Sequence, residues 1–183
     1  LAYRHKINQS GSGWGGQCQS ALWAAQTATA AWMMWDYLSE TEQHLVCKMM
    51  EYEANRLLDY KIPYYRDAEG TIIYKGDSKA EENAWNSNIR TIAALMMPEH
   101  VHSGKWMQKS VELQLSAYAA PSDMSNAQKI NGVQLNQFLK GSNIEENGTV
   151  INHGLIHADY MCAIMHNSLN VWMHALAGEK APY

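Results

Sequence analysis

Apolar residues recur at spacings of three and four in five separate stretches of this 183-residue chain, a period that suits helices and fits little else. The first stretch, residues 16–38, is rich in alanine and apolar almost all round, with Leu22, Trp23, Ala25, Ala28, Trp32, Met33 and Trp35. A helix apolar on every side is expected to be buried on every side. Ser39-Glu40-Thr41-Glu42 then reads as a capping box, in which serine and glutamate satisfy each other's free amides. It opens a second helix reaching residue 60, with Leu45, Met49, Tyr52 and Arg56 on one stripe and Glu40, Lys48, Glu51 and Asp59 solvated.

A loop containing Pro63, Tyr64, Tyr65, Gly70 and Gly76 follows, with a short extended piece expected at residues 71–74. Ser78-Lys79-Ala80-Glu81 is a second capping box. The third helix behind it carries Trp85, Ile89, Ile92 and Met96 and stops at Pro98. A fourth, residues 103–119, carries Trp106, Met107, Val111, Leu115 and Tyr118. Residues 120–156 are irregular and rich in Asn, Ser, Gln and Gly, with one short helix expected at 133–139; a loop this long is usually functional or disordered. The fifth helix begins between residues 156 and 159, shows Met161, Ile164, Met165, Leu169, Trp172, Met173 and Leu176, and finds its C-terminal cap in Gly178.

Short connections make successive helices antiparallel, so the expected fold is all-α: one helical domain over residues 1–183, built from antiparallel helix hairpins. The first, third and fifth helices then place their N-termini on one face. The fifth lacks a partner, so further chain or another subunit is expected to complete the fold.

Composition narrows the function. The net charge is −4, and the 14 Lys and Arg are spread thinly, so no basic stripe offers itself to nucleic acid. No apolar run is long and uncharged enough to span a membrane. Seven Trp and ten Tyr stand against a single Phe, Phe138. Rings with a polar handle suit either a core whose N–H and O–H groups find partners, or a groove lined with flat surfaces for sugars. Cys18, Cys47 and Cys162 lack metal spacing and are expected as buried free thiols.

Three polar and aromatic clusters lead into the odd-numbered helices. Gly11-Ser12-Gly13-Trp14-Gly15-Gly16-Gln17 precedes the first. Glu81, Glu82, Asn83, Trp85 and Asn86 begin the third, and Asn152, His153, His157, Asp159 and Tyr160 lead into the fifth. The glycine run lacks the Lys-Ser/Thr ending of a phosphate loop, so nucleotide binding is discounted. His153 and His157 are four residues apart without an evident third ligand, and His100 with His102 makes a weaker pair, so neither metal nor cofactor is expected. Each cluster also suits plain helix capping and loop tying. The Asn, His and Tyr set carries more chemistry. Removing the proton beside a uronic acid carboxylate requires that carboxylate to be neutralised, which an Asn amide does, and a Tyr or His to move protons.

The segment GTVINHGLIHADY, residues 148–160, resembles the His-to-Tyr segment of the polysaccharide lyases with an incomplete (α/α) toroid, the hyaluronate, chondroitin and xanthan lyases among them. The resemblance implies that the chain is part of a larger incomplete toroid, with the groove at the inner helices' N-termini. It further implies β-elimination on a uronic-acid polysaccharide without a cofactor, in a secreted or periplasmic setting. Tyr160 would be base and acid, His153 would assist, and Asn83 or Asn86 would hold the carboxylate. Trp14, Gln17, Tyr64, Glu82, Trp85 and His157 are the accompanying substrate-binding candidates. The family's Arg near the Tyr has no counterpart, since no Arg follows Arg90. Two other classes remain: a glycoside hydrolase on the same helical toroid, recruiting Glu82 with Asp159 or Asp36, and a non-catalytic carbohydrate-binding module.

Overall fold

The computed structural model describes residues 1–182 and is mostly helical. The helices are α1 (Ser20–Met33), α2 (Glu40–Arg56), α3 (Ala80–Met96), α4 (Ser103–Ala117), α5 (Leu135–Phe138), α6 (Ala158–Cys162) and α7 (Met165–Leu176). Six two-residue strands, β1 (Arg66–Asp67), β2 (Lys129–Ile130), β3 (Val133–Gln134), β4 (Gly141–Ser142), β5 (Ile151–Asn152) and β6 (Leu155–Ile156), pair antiparallel as β1–β4, β2–β3 and β5–β6. No described helix is long and apolar enough to cross a membrane. Two compact units divide the chain: Leu1–Tyr60 with Asn88–Lys109, and Lys61–Ser87 with the residues from Ser110 onward.

In the first unit α1 and α2 pack as a hairpin. The capping box at Ser39 forms as expected: Glu42 N–H donates to Ser39 Oγ, and Ser39 N–H donates to Glu42 Oε2 at 2.8 Å. The expectation that α1 is buried all round is corrected. Its small residues Ala21, Ala24, Ala25 and Ala28 are buried, whereas Trp23, Met33 and Met34 are exposed. Alanines bring two helix backbones close together, and the bulky side chains are left on the outer faces. The helix also ends at Met33, and a 3-10 turn at Trp35–Tyr37 leads to α2.

Glu53 ties this unit together. Its side chain is wholly buried, and each carboxylate oxygen accepts two hydrogen bonds. Oε1 takes His5 Nε2 at 3.2 Å and Gly16 N–H at 3.0 Å; Oε2 takes Ser20 Oγ and Arg56 Nε, each at 2.9 Å. The N-terminal turn, the glycine-rich loop, the start of α1 and the end of α2 thus meet on one carboxylate. Burial by itself pushes this carboxyl up, and His5, Arg56, Gly16 and Ser20 together override burial to hold it at about 2.

In the second unit the first half of α3 lies antiparallel to the second half of α4, with Ser110 Oγ donating to Ser87 O and Asn83 Nδ2 to Ser116 Oγ. In the first unit Ser103 Oγ donates to Ala94 O across the same two helices. The expected short helix at 133–139 is α5, preceded by the β2–β3 hairpin. The fifth predicted helix is corrected in two respects. It is broken after Cys162 into α6 and α7, and most of its apolar stripe points outward. Ile164, Met165, Trp172 and Leu176 are exposed, while Asn170, Met173 and His174 are buried. Gly178 adopts φ 71° just past α7, as its capping role requires.

Because the Glu53 pKa is depressed, its contribution is present above about pH 4.5 and is lost as pH falls towards 2. Glu53→Gln is expected to cost about 3 kcal/mol at neutral pH. The difference should shrink towards pH 2, measured as denaturant midpoints of both proteins across that range.

Candidate active site

The site lies in the second unit and starts from a hairpin. β5 and β6 pair with Asn152 opposite Leu155, so His153-Gly154 is a two-residue loop. His153 has φ 51° and Gly154 φ 78°, the positive values that a type I′ turn needs at both central positions. Glycine adopts this freely; for a histidine it costs on the order of 1 kcal/mol. The hairpin is fastened to the segment before α3. Gly154 N–H donates to Gly76 O at 2.9 Å, Ser78 N–H to Ile151 O at 2.9 Å, and Asn152 Nδ2 to Ser78 O at 3.1 Å. Asn152 is therefore a buried structural tie.

The turn projects an exposed His153 onto Tyr160, and the Tyr160 hydroxyl meets His153 Nε2 at 3.1 Å. His157, at the N-cap of α6, stands edge-on to the Tyr160 ring with centroids 4.4 Å apart. Tyr118 Oη donates to the Tyr160 carbonyl at 2.9 Å, pinning the backbone beneath the ring.

The capping box expected at Ser78 is not formed. Ser78 N–H goes to Ile151, while its hydroxyl donates to Asn143 O at 2.7 Å and accepts from Ala80 N–H. Glu81 thereby loses its reciprocal partner. It is buried, and its Oε2 has no hydrogen-bond partner among the described residues. Burial is the main cause that pushes the Glu81 carboxyl up to about 7; Glu82 and Asp77 raise it further, against the lowering pull of its own amide and Lys79. Lys79 Nζ is 2.6 Å from Asp77 Oδ2 and 3.9 Å from Glu82 Oε2, and these acidic neighbours outweigh burial to keep it charged. The Tyr160 hydroxyl is itself shifted upward, by burial first and by Glu81 and Asp77 next.

The structure thus gathers His153, His157, Tyr160, Glu81, Lys79 and Glu82 within one unit. Asn83 is wholly buried and gives both amide hydrogens to the protein, to Pro63 O at 3.0 Å and Ser116 Oγ at 3.1 Å. Asn86 is buried one turn further along α3. Tyr64 is buried too, pressed against Gly141, where a Cβ would collide with Arg66 O, so only glycine fits. Trp85 is half-buried, and its indole N–H has no partner among the described residues. Trp14 and Gln17 belong to the first unit. Trp14 donates to Leu1 O at 3.0 Å and stands edge-on to His5 and Trp23; Gln17 Oε1 accepts from Gly15 N–H. Asp36 is an exposed residue of the first unit as well.

Among the described residues no three His, Cys, Asp or Glu side chains gather as a metal site requires. The expectation of buried cysteines is corrected: Cys18 and Cys162 are exposed and Cys47 is half-buried. Sequence reasoning missed Glu81 and Tyr118 as members of the site. The adjacent acids Glu81-Glu82 are the available signal: Glu82 is a substrate-binding candidate in the sequence, while the capping-box pattern accounts for Glu81 without chemistry. Compared with protein-family models, curated proteins and solved structures, the chain matches none.

A raised carboxyl favours folding while it stays protonated, so the Glu81 contribution is complete below about pH 4.5 and is lost as pH rises to about 7. Glu81→Gln removes this dependence. The variant is expected to gain roughly 3 kcal/mol on the wild type between pH 4 and pH 8, read from paired denaturation curves.

Proposed function

We propose that this protein cleaves a uronic-acid-containing polysaccharide by β-elimination, on a helical scaffold belonging to a larger incomplete (α/α) toroid. The observation that carries the proposal is the 3.1 Å hydrogen bond between Tyr160 Oη and His153 Nε2, on an accessible face beside Glu81 and Lys79. Such a pair moves a proton in each direction without a cofactor. The Tyr160 hydroxyl, whose pKa lies above the ordinary tyrosine value, is protonated at neutral pH and has a hydrogen to donate to the leaving glycosidic oxygen. His153 Nε2, the acceptor of that hydrogen bond in its Nδ1-protonated tautomer, is suited to take the proton from C5. In the elimination the C5–H and C4–O bonds break, a C4=C5 double bond forms, and the leaving oxygen ends protonated. Charge on the substrate carboxylate falls to Lys79 and to Glu81 in its neutral form, since Asn83 has committed its amide hydrogens.

A second reading has one observation in its favour. A glycoside hydrolase needs a carboxyl held protonated near neutral pH, and Glu81 is held at about 7. Glu82 would then be the partner carboxylate.

The two chemistries give different products. With uronic-acid polysaccharides, elimination is expected to raise the ultraviolet absorbance of unsaturated uronides. Tyr160→Phe should lower kcat by about 100- to 10,000-fold, with the fold kept because the Tyr118 bond is to the Tyr160 carbonyl. New reducing ends without absorbance, lost in Glu81→Gln but not in Tyr160→Phe, would replace elimination by hydrolysis.

A further inference from the structure

The polar stripe of α2 forms the floor of a cleft in the first unit that the chemistry above does not use. Lys48, Glu51, Tyr52, Asn55 and Arg56 follow one another at helical spacing and, with Ile7 from the N-terminal segment, line a space of about 460 Å³. That volume suits a ligand of one or two rings. We infer that this cleft binds a sugar acid: a small, hydroxylated molecule with a single carboxylate.

The amide of Asn55 sets the polarity of the site. Trp106 Nε1–H has only a hydrogen to give, and it lies 2.9 Å from Asn55 Oδ1, which fixes the amide's orientation. His102 Nδ1 is 2.8 Å from the same oxygen. His102 is held in turn by its backbone N–H, which donates to His100 Nδ1, and His100 stacks on Trp106 with centroids 4.3 Å apart. Both of these bonds use Oδ1, so Nδ2 of Asn55, without a protein partner among the described residues, is left as a fixed donor for the cleft that the residue lines.

Charge balance selects the ligand's charge. Arg56 is matched by the buried Glu53. Lys48 has no ion-pair partner among the described residues, and Lys6 sits over the Tyr52 ring at 5.0 Å without one either. Against these two cations stands Glu51, 3.5 Å from His100. One uncompensated positive charge favours a monoanion. A dianion such as phosphate would be left with excess charge beside Glu51. Glu51 is also an acceptor with no use for a bare anion, but it fits sugar hydroxyls, as does the Tyr52 hydroxyl. The inference rests on residues of the first unit alone, so it stands or falls separately from the His153–Tyr160 proposal.

The test is calorimetric titration of the full chain with D-glucuronate, D-glucose and inorganic phosphate as separate probes. Glucuronate is expected to bind more tightly than either of the others. Lys48→Met should weaken glucuronate about tenfold, and Glu51→Gln should shift the preference towards phosphate about fivefold, with circular dichroism unchanged in both. Absence of glucuronate binding, phosphate binding as tight as glucuronate, or an affinity indifferent to Lys48 would each overturn the inference. Tyr160→Phe should leave these affinities unchanged.

Discussion

The buried side chain of Asn143 is the junction on which the second unit depends. Its Oδ1 accepts Tyr65 N–H at 2.8 Å and Lys79 N–H at 3.3 Å; its Nδ2 donates to Ser116 O at 2.8 Å and Pro63 O at 3.5 Å. Its backbone N–H reaches Ala119 O, and its carbonyl takes the Ser78 hydroxyl. One residue thus joins the loop before β1, the start of α3 and the end of α4 with every side-chain hydrogen-bonding position filled. Because Ser78 answers to Asn143 and Ile151, Glu81 is left buried without its cap partner. The raised pKa of Glu81 follows from that burial more than from any neighbouring charge.

The first unit is organised by the same logic with a charge in place of an amide. Glu53 is buried, ionised and fully hydrogen-bonded, and it joins segments that local propensity would leave separate. A buried carboxylate is tolerated only where several donors converge on it. The glycine-rich loop therefore serves the interior: Gly16 N–H is one of those donors. Arg56, on the same helix turn, satisfies Glu53 and also borders the α2 cleft, so the ion pair that closes the core lies at the cleft's edge.

Local signals were legible where neighbouring residues decide the outcome. The capping box at Ser39, the stop at Pro98 and the Gly178 cap depend on contacts within a few residues, and each stands where the pattern places it. The identical pattern at Ser78 failed because Ile151 and Asn143, more than sixty residues away, compete for the same groups. The direction of a helix face was not legible either. α1 turns its alanines inward and Trp23 outward, and α7 buries Asn170 and His174 while exposing Trp172, because apolar periodicity marks a face without stating what it meets. In the site, the pairing of His153 with Tyr160 was within reach of the sequence at a separation of seven. The His-Gly turn that aims it was read only as part of an irregular loop.

By itself the sequence determined the mostly helical class, the positions of its long helices and the segment from which His153 and Tyr160 come, since period, caps and breakers act over one or two turns. Only the tertiary structure decided that Asn83 would be locked between Pro63 and Ser116, that Glu81 would titrate near neutrality and that Asn55 would face a cleft. Burial and hydrogen-bond competition belong to groups distant in the chain, and a side chain's chemistry is set by which of them reaches it first.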